Sequence, residues 1–341
     1  MVRPFTLRDL ALVRRLSEQG VSLHAESALA DNVHPLRGAL TSMVVGGNFP
    51  TFVFKSEERE ETGFIQLLLE EDRHHAHILY LSPTMAALKT EPDAAALSVT
   101  GEGGSQAWLP LLDEAVGEAG RRGVHSLVAE VNETGPELPV LRQAGFAVYT
   151  RQDIWLFAGQ EENLKSEDSA IRLLPYLSSD DWDIQLLYAN TVPRLVQLVE
   201  PVPPLISGDG WVLRDNQNEL AAFIHVHDGS AATWLRFFIH PNADADASEI
   251  VKAVVQTEMN RGRKSVYCCV RRYEGWLPAA LEHTGFHIWG SQAVLVKHTV
   301  HHSRRKQPQF SVNLENGGVP VTSPYAQHYS IQEDQDDASD L

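Results

Sequence analysis

Cysteine is almost absent: Cys268 and Cys269 are the only two in 341 residues. Adjacent residues of a strand point to opposite faces, so a disulfide between them is excluded, and no metal-binding or redox spacing exists. Both are expected to be small, buried, apolar residues. Cations are scarce as well, with 28 Lys+Arg against 45 Asp+Glu and a formal net charge of −17. Nucleic-acid binding draws on clustered cations that release counterions, so that class is excluded. No apolar run reaches the ~18 residues of a membrane span. Met1 to Leu10 carries charges with no apolar stretch behind it, so no signal peptide is read and a cytoplasmic location is expected. No Gly-x-Ser-x-Gly nucleophile motif occurs. The histidines of His74-His75-Ala76-His77 and His225-Val226-His227 lack further ligands at metal-binding spacing, so no metal is expected.

The rest has the composition of a globular protein, 43% hydrophobic and 21% charged. At roughly 100–200 residues per domain, the length suggests two domains. Two stretches stand apart. Residues 159–170 hold Glu161, Glu162, Glu167 and Asp168 against Lys165 and read as an acidic linker, while 301–341 is polar and aperiodic and reads as a disordered tail.

The two remaining segments repeat one another. Phe52-Val53-Phe54-Lys55 answers Trp211-Val212-Leu213-Arg214, and Phe64-Ile65 answers Phe223-Ile224, both at an offset of 159. Tyr80-Leu81-Ser82-Pro83 answers Phe238-Ile239-His240-Pro241 at 158. Leu141, Gly145-Phe146 and Gln152 answer Leu281, Gly285-Phe286 and Gln292 at 140. Each copy reads as a helix (Arg8 to Gln19; Asp180 to Asn190) and then three short β-rich runs, the third ending at Pro83 or Pro241. An amphipathic helix follows, holding Trp108 and Leu112 or Ile250 and Val254 and ending near Gly123 or Gly262. A strand, a short helix closing at Gly145 or Gly285, and a last apolar strand complete the unit. The fold class expected is α+β, a mixed sheet flanked by helices.

That order, with Val2-Arg3-Pro4 and Ile171-Arg172-Leu173 opening the copies and Leu141-Arg142-Gln143-Ala144-Gly145-Phe146 and Leu281-Glu282-His283-Thr284-Gly285-Phe286 closing them, resembles the GNAT N-acetyltransferase superfamily. The resemblance covers 1–158 and 171–300 and implies two tandem GNAT-like domains. It further implies that acetyl-CoA lies between two splayed strands, its pyrophosphate on the backbone amides of a Gln/Arg-x-x-Gly-x-Gly/Ala loop at a helix N-terminus. There the unpaired N–H groups and the helix dipole favour an anion. In the first copy this assigns the cofactor to Leu81, Ser82, Gly101, Gly103, Gly104, Ser105 and Asn132. Ser98 stands in place of Gln or Arg, and Glu102 adds a negative charge. The second copy has no glycine in its loop and places Asp244 and Asp246 where a phosphate would sit. These acids read better as helix caps, with Ser248 as an alternative, and Arg271 replaces the asparagine.

Acyl transfer in the family uses a base that takes the amine proton and often a tyrosine that protonates the leaving thiolate. Leu141 and Leu281 occupy the tyrosine position. Candidate catalytic residues in the first copy are His77, Glu130 and Tyr80; each also reads as structural, as an exposed strand entry, an ion-paired strand residue and a core ring. The function expected is transfer of an acetyl group from acetyl-CoA to the amine of a small molecule by the first copy, beside a degenerate second copy. The alternative is a catalytically inactive tandem module that binds a ligand or a protein. Expected partners are a small-molecule amine acceptor, no nucleic acid and no membrane, with the domain pair intramolecular in a monomer or dimer.

Overall fold

Alternation of apolar and polar residues in the strands, and 3.6-residue spacing in the helices between them, suit a sheet with helices packed on its faces. The computed structural model describes residues 1–45, 48–56, 62–69, 74–84, 107–157, 171–203, 210–262 and 265–299. All lie in one unit, Met1–His301. The linker and tail stretches fall outside the described residues.

The first copy runs β1 (Val2–Pro4), α1 (Leu10–Ser17), β2 (Val21–Ser22), α2 (Ala25–Leu29), α3 (Pro35–Val45), β3 (Thr51–Lys55), β4 (Thr62–Leu69), β5 (His75–Ser82), α4 (Trp108–Arg121), β6 (Ser126–Asn132), α5 (Glu137–Gln143) and β7 (Ala147–Phe157). The second runs β8 (Leu174–Pro175), α6 (Asp181–Thr191), α7 (Arg194–Gln197), β9 (Gly210–Arg214), β10 (Leu220–Asp228), β11 (Thr233–Ile239), α8 (Ala247–Asn260), β12 (Val266–Arg271), α9 (Leu277–Thr284) and β13 (Phe286–His298). The short α2, α7 and β2 carry too few periodic residues to be read from sequence. Gly145 and Gly285 end α5 and α9 at φ +88° and +100°, a left-handed geometry that glycine adopts without steric cost.

The strands form one continuous sheet in the order β1-β3-β4-β5-β6-β13-β7-β12-β11-β10-β9-β8, with β2 added against β5. The last strands are exchanged: β13 of the second copy pairs with β6, and β7 of the first pairs with β12. They also pair with each other, and Gln152 lies opposite Gln292, its own equivalent in the repeat, so a pseudo-twofold axis passes between them. Apolar burial drives the exchange. Ala293 and Leu295 complete the core formed by Trp108, Leu111 and Leu127 of the first copy. Trp155 and Phe157 enter the core formed by Ile250, Val254 and Leu281 of the second. Burying such large side chains contributes roughly 1.5–3 kcal/mol each.

The strand register corrects one step of the sequence ladder. Phe64 and Phe223 are equivalent, and they pair with Ser82 and Phe238, so the third strands are related by 238 − 82 = 156 rather than 158. Proline stops each ladder, but the two strands reach their prolines at different lengths. A β-bulge at Leu79, between the pairs Leu67↔Ile78 and Gln66↔Tyr80, adds a further residue in the first copy alone. Tyr80 is therefore the equivalent of Arg236.

Candidate functional site

The parallel contact between β5 and β6 lasts only three pairs, His75↔Ser126, Ala76↔Leu127 and His77↔Val128. Beyond it β5 bulges at Leu79 and bends away, because the extra residue breaks the ladder and sharpens the twist. The gap is bridged by the chain itself. Val21 and Ser22 pair with Leu81 and Tyr80, the Leu23 amide donates to the Leu79 carbonyl at 3.1 Å, and the Glu130 amide donates to the Leu23 carbonyl at 2.8 Å. Backbone groups that diverging strands would leave unpaired are thus paired by residues 21–23.

Four of the six described candidate residues of the first copy are committed to neighbours. The Tyr80 hydroxyl donates to the Ser17 carbonyl at 2.5 Å, and its ring stacks on Phe64 at 5.6 Å. The buried Ser82 hydroxyl donates to the Leu16 carbonyl at 2.6 Å, and Leu81 is buried in the core beside α4. Asn132 Oδ1 accepts from the amide and hydroxyl of Thr134, both at 2.9 Å, which is an Asx turn. Gly101, Gly103, Gly104 and Ser105 lie outside the described residues. His77 and Glu130, by contrast, line the same cavity. The His77 ring lies 4.4 Å from that of His24, and Glu130 Oε2 accepts the Ala25 amide at 2.7 Å, at the start of α2.

This cavity, of about 100 Å³, is lined from both copies. Its second-copy wall is built around Glu200, which sequence reading missed. Glu200 bridges Arg271 at 2.5 Å and Arg236 at 3.3 Å, and accepts the Tyr149 hydroxyl at 2.5 Å. The Tyr188 hydroxyl fixes the Glu200 carbonyl at 2.7 Å. Burial would raise the Glu200 carboxyl, but the guanidiniums of Arg271 and Arg236 outweigh it and hold it at about 2. Burial, with Glu200 adding to it, raises the Tyr149 hydroxyl well above its ordinary range. Arg271 also donates to Gln152 Oε1, and Gln152 Nε2 reaches Gln292 at 2.7 Å on the pseudo-axis. Behind it the Arg271 amide donates to Glu274 at 2.8 Å, and burial pushes that carboxyl up to about 7. Cys268 and Cys269 are buried and free; burial raises Cys269 to about 12, which leaves it a thiol. A signal for this wall exists in the sequence, since Arg236 is a lone cation within Trp234-Leu235-Arg236-Phe237-Phe238.

No protein-family model and no curated protein matches the sequence. Solved structures do. A GCN5-related N-acetyltransferase from Sphaerobacter thermophilus aligns over 88% of this chain and 96% of its own, with a TM-score of 0.54 and 10% identity. The chain has the GNAT acetyltransferase fold. A tandem GNAT protein from the clavulanic acid biosynthesis pathway aligns over 88% of this chain and 99% of its own (TM-score 0.49, 12% identity). A GNAT-family acetyltransferase from Colwellia psychrerythraea aligns over 87% and 99% (TM-score 0.44, 11% identity).

GNAT-fold acetyltransferases imply acetyl-CoA, and the described residues of neither copy fit it as they stand. In the first copy the strand edges that would flank the cofactor are hydrogen-bonded to residues 21–23. In the second, the Asp246 carboxylate caps α8 by accepting the Ser248 amide at 2.7 Å, filling the anion position with a charge of the chain's own. Arg271, where the first copy has Asn132, is held by Glu200. Leu141 and Leu281 are fully buried and supply no proton donor.

Proposed function

We propose that this GNAT-fold chain is a binding module for a small amine, held in the cavity between its two copies, with no acyl-CoA bound in either. The supporting observation is the cavity itself. It is lined by both copies and carries the carboxylate of Glu130, with Glu26, whose carboxyl burial raises, beside the imidazoles of His24 and His77. Ionised acceptors bind ammonium groups through charge-assisted hydrogen bonds roughly twice as strong as neutral ones. Residues 21–23, hydrogen-bonded to both diverging strands, support the absence of acyl-CoA.

A second reading, acetyl transfer from acetyl-CoA to the same amine, is favoured by the early divergence of β5 from β6, which is the form of a cofactor cleft. His77 or Glu130 would then take the amine proton. Calorimetry separates the two. Ethylamine and alaninamide should give heats of binding that the variant Glu130→Gln weakens at least tenfold, while acetyl-CoA should give none. Heat with acetyl-CoA that disappears in the Gly101→Asp/Gly103→Asp double variant would establish the transfer reading in place of the first.

A further inference from the structure

The opening helices of the two copies, α1 and α6, bury the same side and differ on the other. Thr6 and Leu177 each donate an amide to the aspartate three residues on, Asp9 at 2.9 Å and Asp180 at 3.0 Å, which fixes the register between the helices. In that register Val13 and Leu16 answer Ile184 and Leu187, all buried in apolar clusters. On the solvent side Ala11, Arg15 and Glu18 of α1 answer Trp182, Leu186 and Ala189 of α6, all six exposed. Spacings of four and three residues share one helix face, so α6 is apolar outward as well as inward. Trp182 is 74% exposed, Leu186 53% and Leu177, just before them, 55%. Gln197 docks α7 on the far end of α6 by donating to the Ala189 and Val192 carbonyls at 3.1 and 2.6 Å, and there Leu195 and Leu198 are 76% and 68% exposed. The first copy shows that the fold does not need these residues, and an apolar patch of several hundred Å² on a folded chain marks a contact site.

Charge along the same face names the partner. At the N-terminal end of α6, Asp180, Asp181 and Asp183 outnumber Arg214, which bridges Asp180 and Asp183, and the Asp183 side chain remains 38% exposed. Beyond the C-terminal end stands Arg194, exposed and without an ion pair among the described residues. We infer that the α6–α7 face joins two copies of this chain in a twofold dimer, with the two α6 helices antiparallel across the axis. A twofold interface has to be complementary to itself. Antiparallel pairing lays apolar stripe on apolar stripe and brings each Arg194 to the aspartate end of the other chain, whereas parallel pairing sets like charges side by side. An anionic lipid surface, which also takes up exposed tryptophan and leucine, would be repelled by the aspartates. The apolar patch alone is smaller than the roughly 800 Å² that each partner gives to a tight complex, so dissociation is expected in the micromolar range. The inference is independent of the amine-binding reading.

Sedimentation equilibrium of the full chain, from low to high micromolar concentration, tests the assignment. The chain should pass from monomer to dimer across that range. Trp182→Ala with Leu186→Arg gives α6 the residues that α1 carries at the same positions, so the circular dichroism spectrum should be unchanged while the dimer weakens tenfold or more. Leu195→Ser with Leu198→Ser, two exposed changes on α7, should weaken it in the same way. Arg194→Glu should weaken it several-fold. A chain that stays monomeric throughout overturns the inference and leaves the face to a different protein. A dimer indifferent to both apolar double variants lies on another face and overturns it equally. A dimer that dissociates in those variants but is indifferent to Arg194→Glu overturns the antiparallel arrangement alone.

Discussion

The same fold occurs twice in this chain, and the two copies treat the same weak point differently. In each, the third strand leaves the next after three parallel pairs, β5 from β6 and β11 from β12. The first copy pairs the exposed edges with backbone, laying residues 21–23 between Leu79 and Glu130. The second fills the corresponding space with charge, Glu200 between Arg236 and Arg271. Equivalent positions show the divergence residue by residue: Tyr80 against Arg236, His77 against Trp234, Glu130 against Cys269, Asn132 against Arg271. The fold requires that diverging edges be satisfied and leaves open how. Chemistry therefore entered asymmetrically, an acidic and imidazole-bearing wall from one copy and a cationic wall from the other.

The largest test of the comparison asks whether the copies exist apart. Expressed alone, residues 1–158 lose Ala293 and Leu295 from their core and the β13 edge beside β6; residues 171–300 lose Trp155, Phe157 and the β7 edge. Neither segment is expected to give a cooperatively unfolding monomer, as judged by circular dichroism and chromatography. Mixing the two should restore one. A stable, monomeric 1–158 would mean that exchange is incidental to stability.

Removing Glu200 should come next in size. Glu200→Ala leaves Arg236 and Arg271 buried without their shared counter-charge, a loss of about 3–5 kcal/mol in urea unfolding. A comparable cut in the first copy, Ser22→Ala, removes only hydroxyl bonds to the His24 and Leu79 carbonyls and should cost about 1 kcal/mol. Because the Glu200 carboxyl is held down to about 2, its contribution is complete above the ordinary carboxylate range and is lost as pH falls through about 2. Equal losses from the two substitutions would erase the distinction between charge and backbone.

Glu274, whose equivalent in the first copy is Gly135, sharpens the same contrast. Its carboxyl is raised to about 7 by burial, so its contribution is full below the unfolded carboxylate range and is lost as pH rises through about 7. Glu274→Gln should therefore stabilise the chain by up to roughly 3 kcal/mol at pH 8 and by little at pH 4.5. Parallel unfolding curves for variant and wild type across that range would contradict it.

Much of the architecture was legible because it rests on periodicity and punctuation. The strands, the α4 and α8 helices and the Gly-Phe closures stand in the sequence as β-rich runs, apolar stripes and left-handed glycines. Asp246 was legible as a cap because short acids before a helix have few other uses. The strand exchange was not, since β7 and β13 look the same whichever neighbour they pair with. The register slip at β5 was hidden because proline marks where a ladder stops, not which residues stand opposite. Within the site, His77 and Glu130 were visible as polar residues on apolar strands. Glu200 follows short α7 in a segment without period, and only its ion pairs across the chain give it meaning.

The smallest effect lies where the copies touch outside the sheet. His227 of β10 meets Asp31, just beyond α2, at 2.8 Å, and the hydrogen bond to Asp31 raises its imidazole above the ordinary value. A histidine raised in the folded state stabilises fully below its unfolded value, and the contribution is lost as pH rises through the folded one. His227→Gln should thus cost a few tenths of a kcal/mol, and at most about 1, near pH 5.5, because solvent screens so exposed a pair. The cost should fade as pH rises through the raised folded value and the wild-type imidazole loses its proton. That contact ties α2, whose first amide Glu130 accepts, to the second copy. Amine affinity should therefore fall in His227→Gln along the same pH profile as stability if the ligand needs α2 in place. A pH-independent affinity would mean that the first-copy wall holds its shape without help from the second.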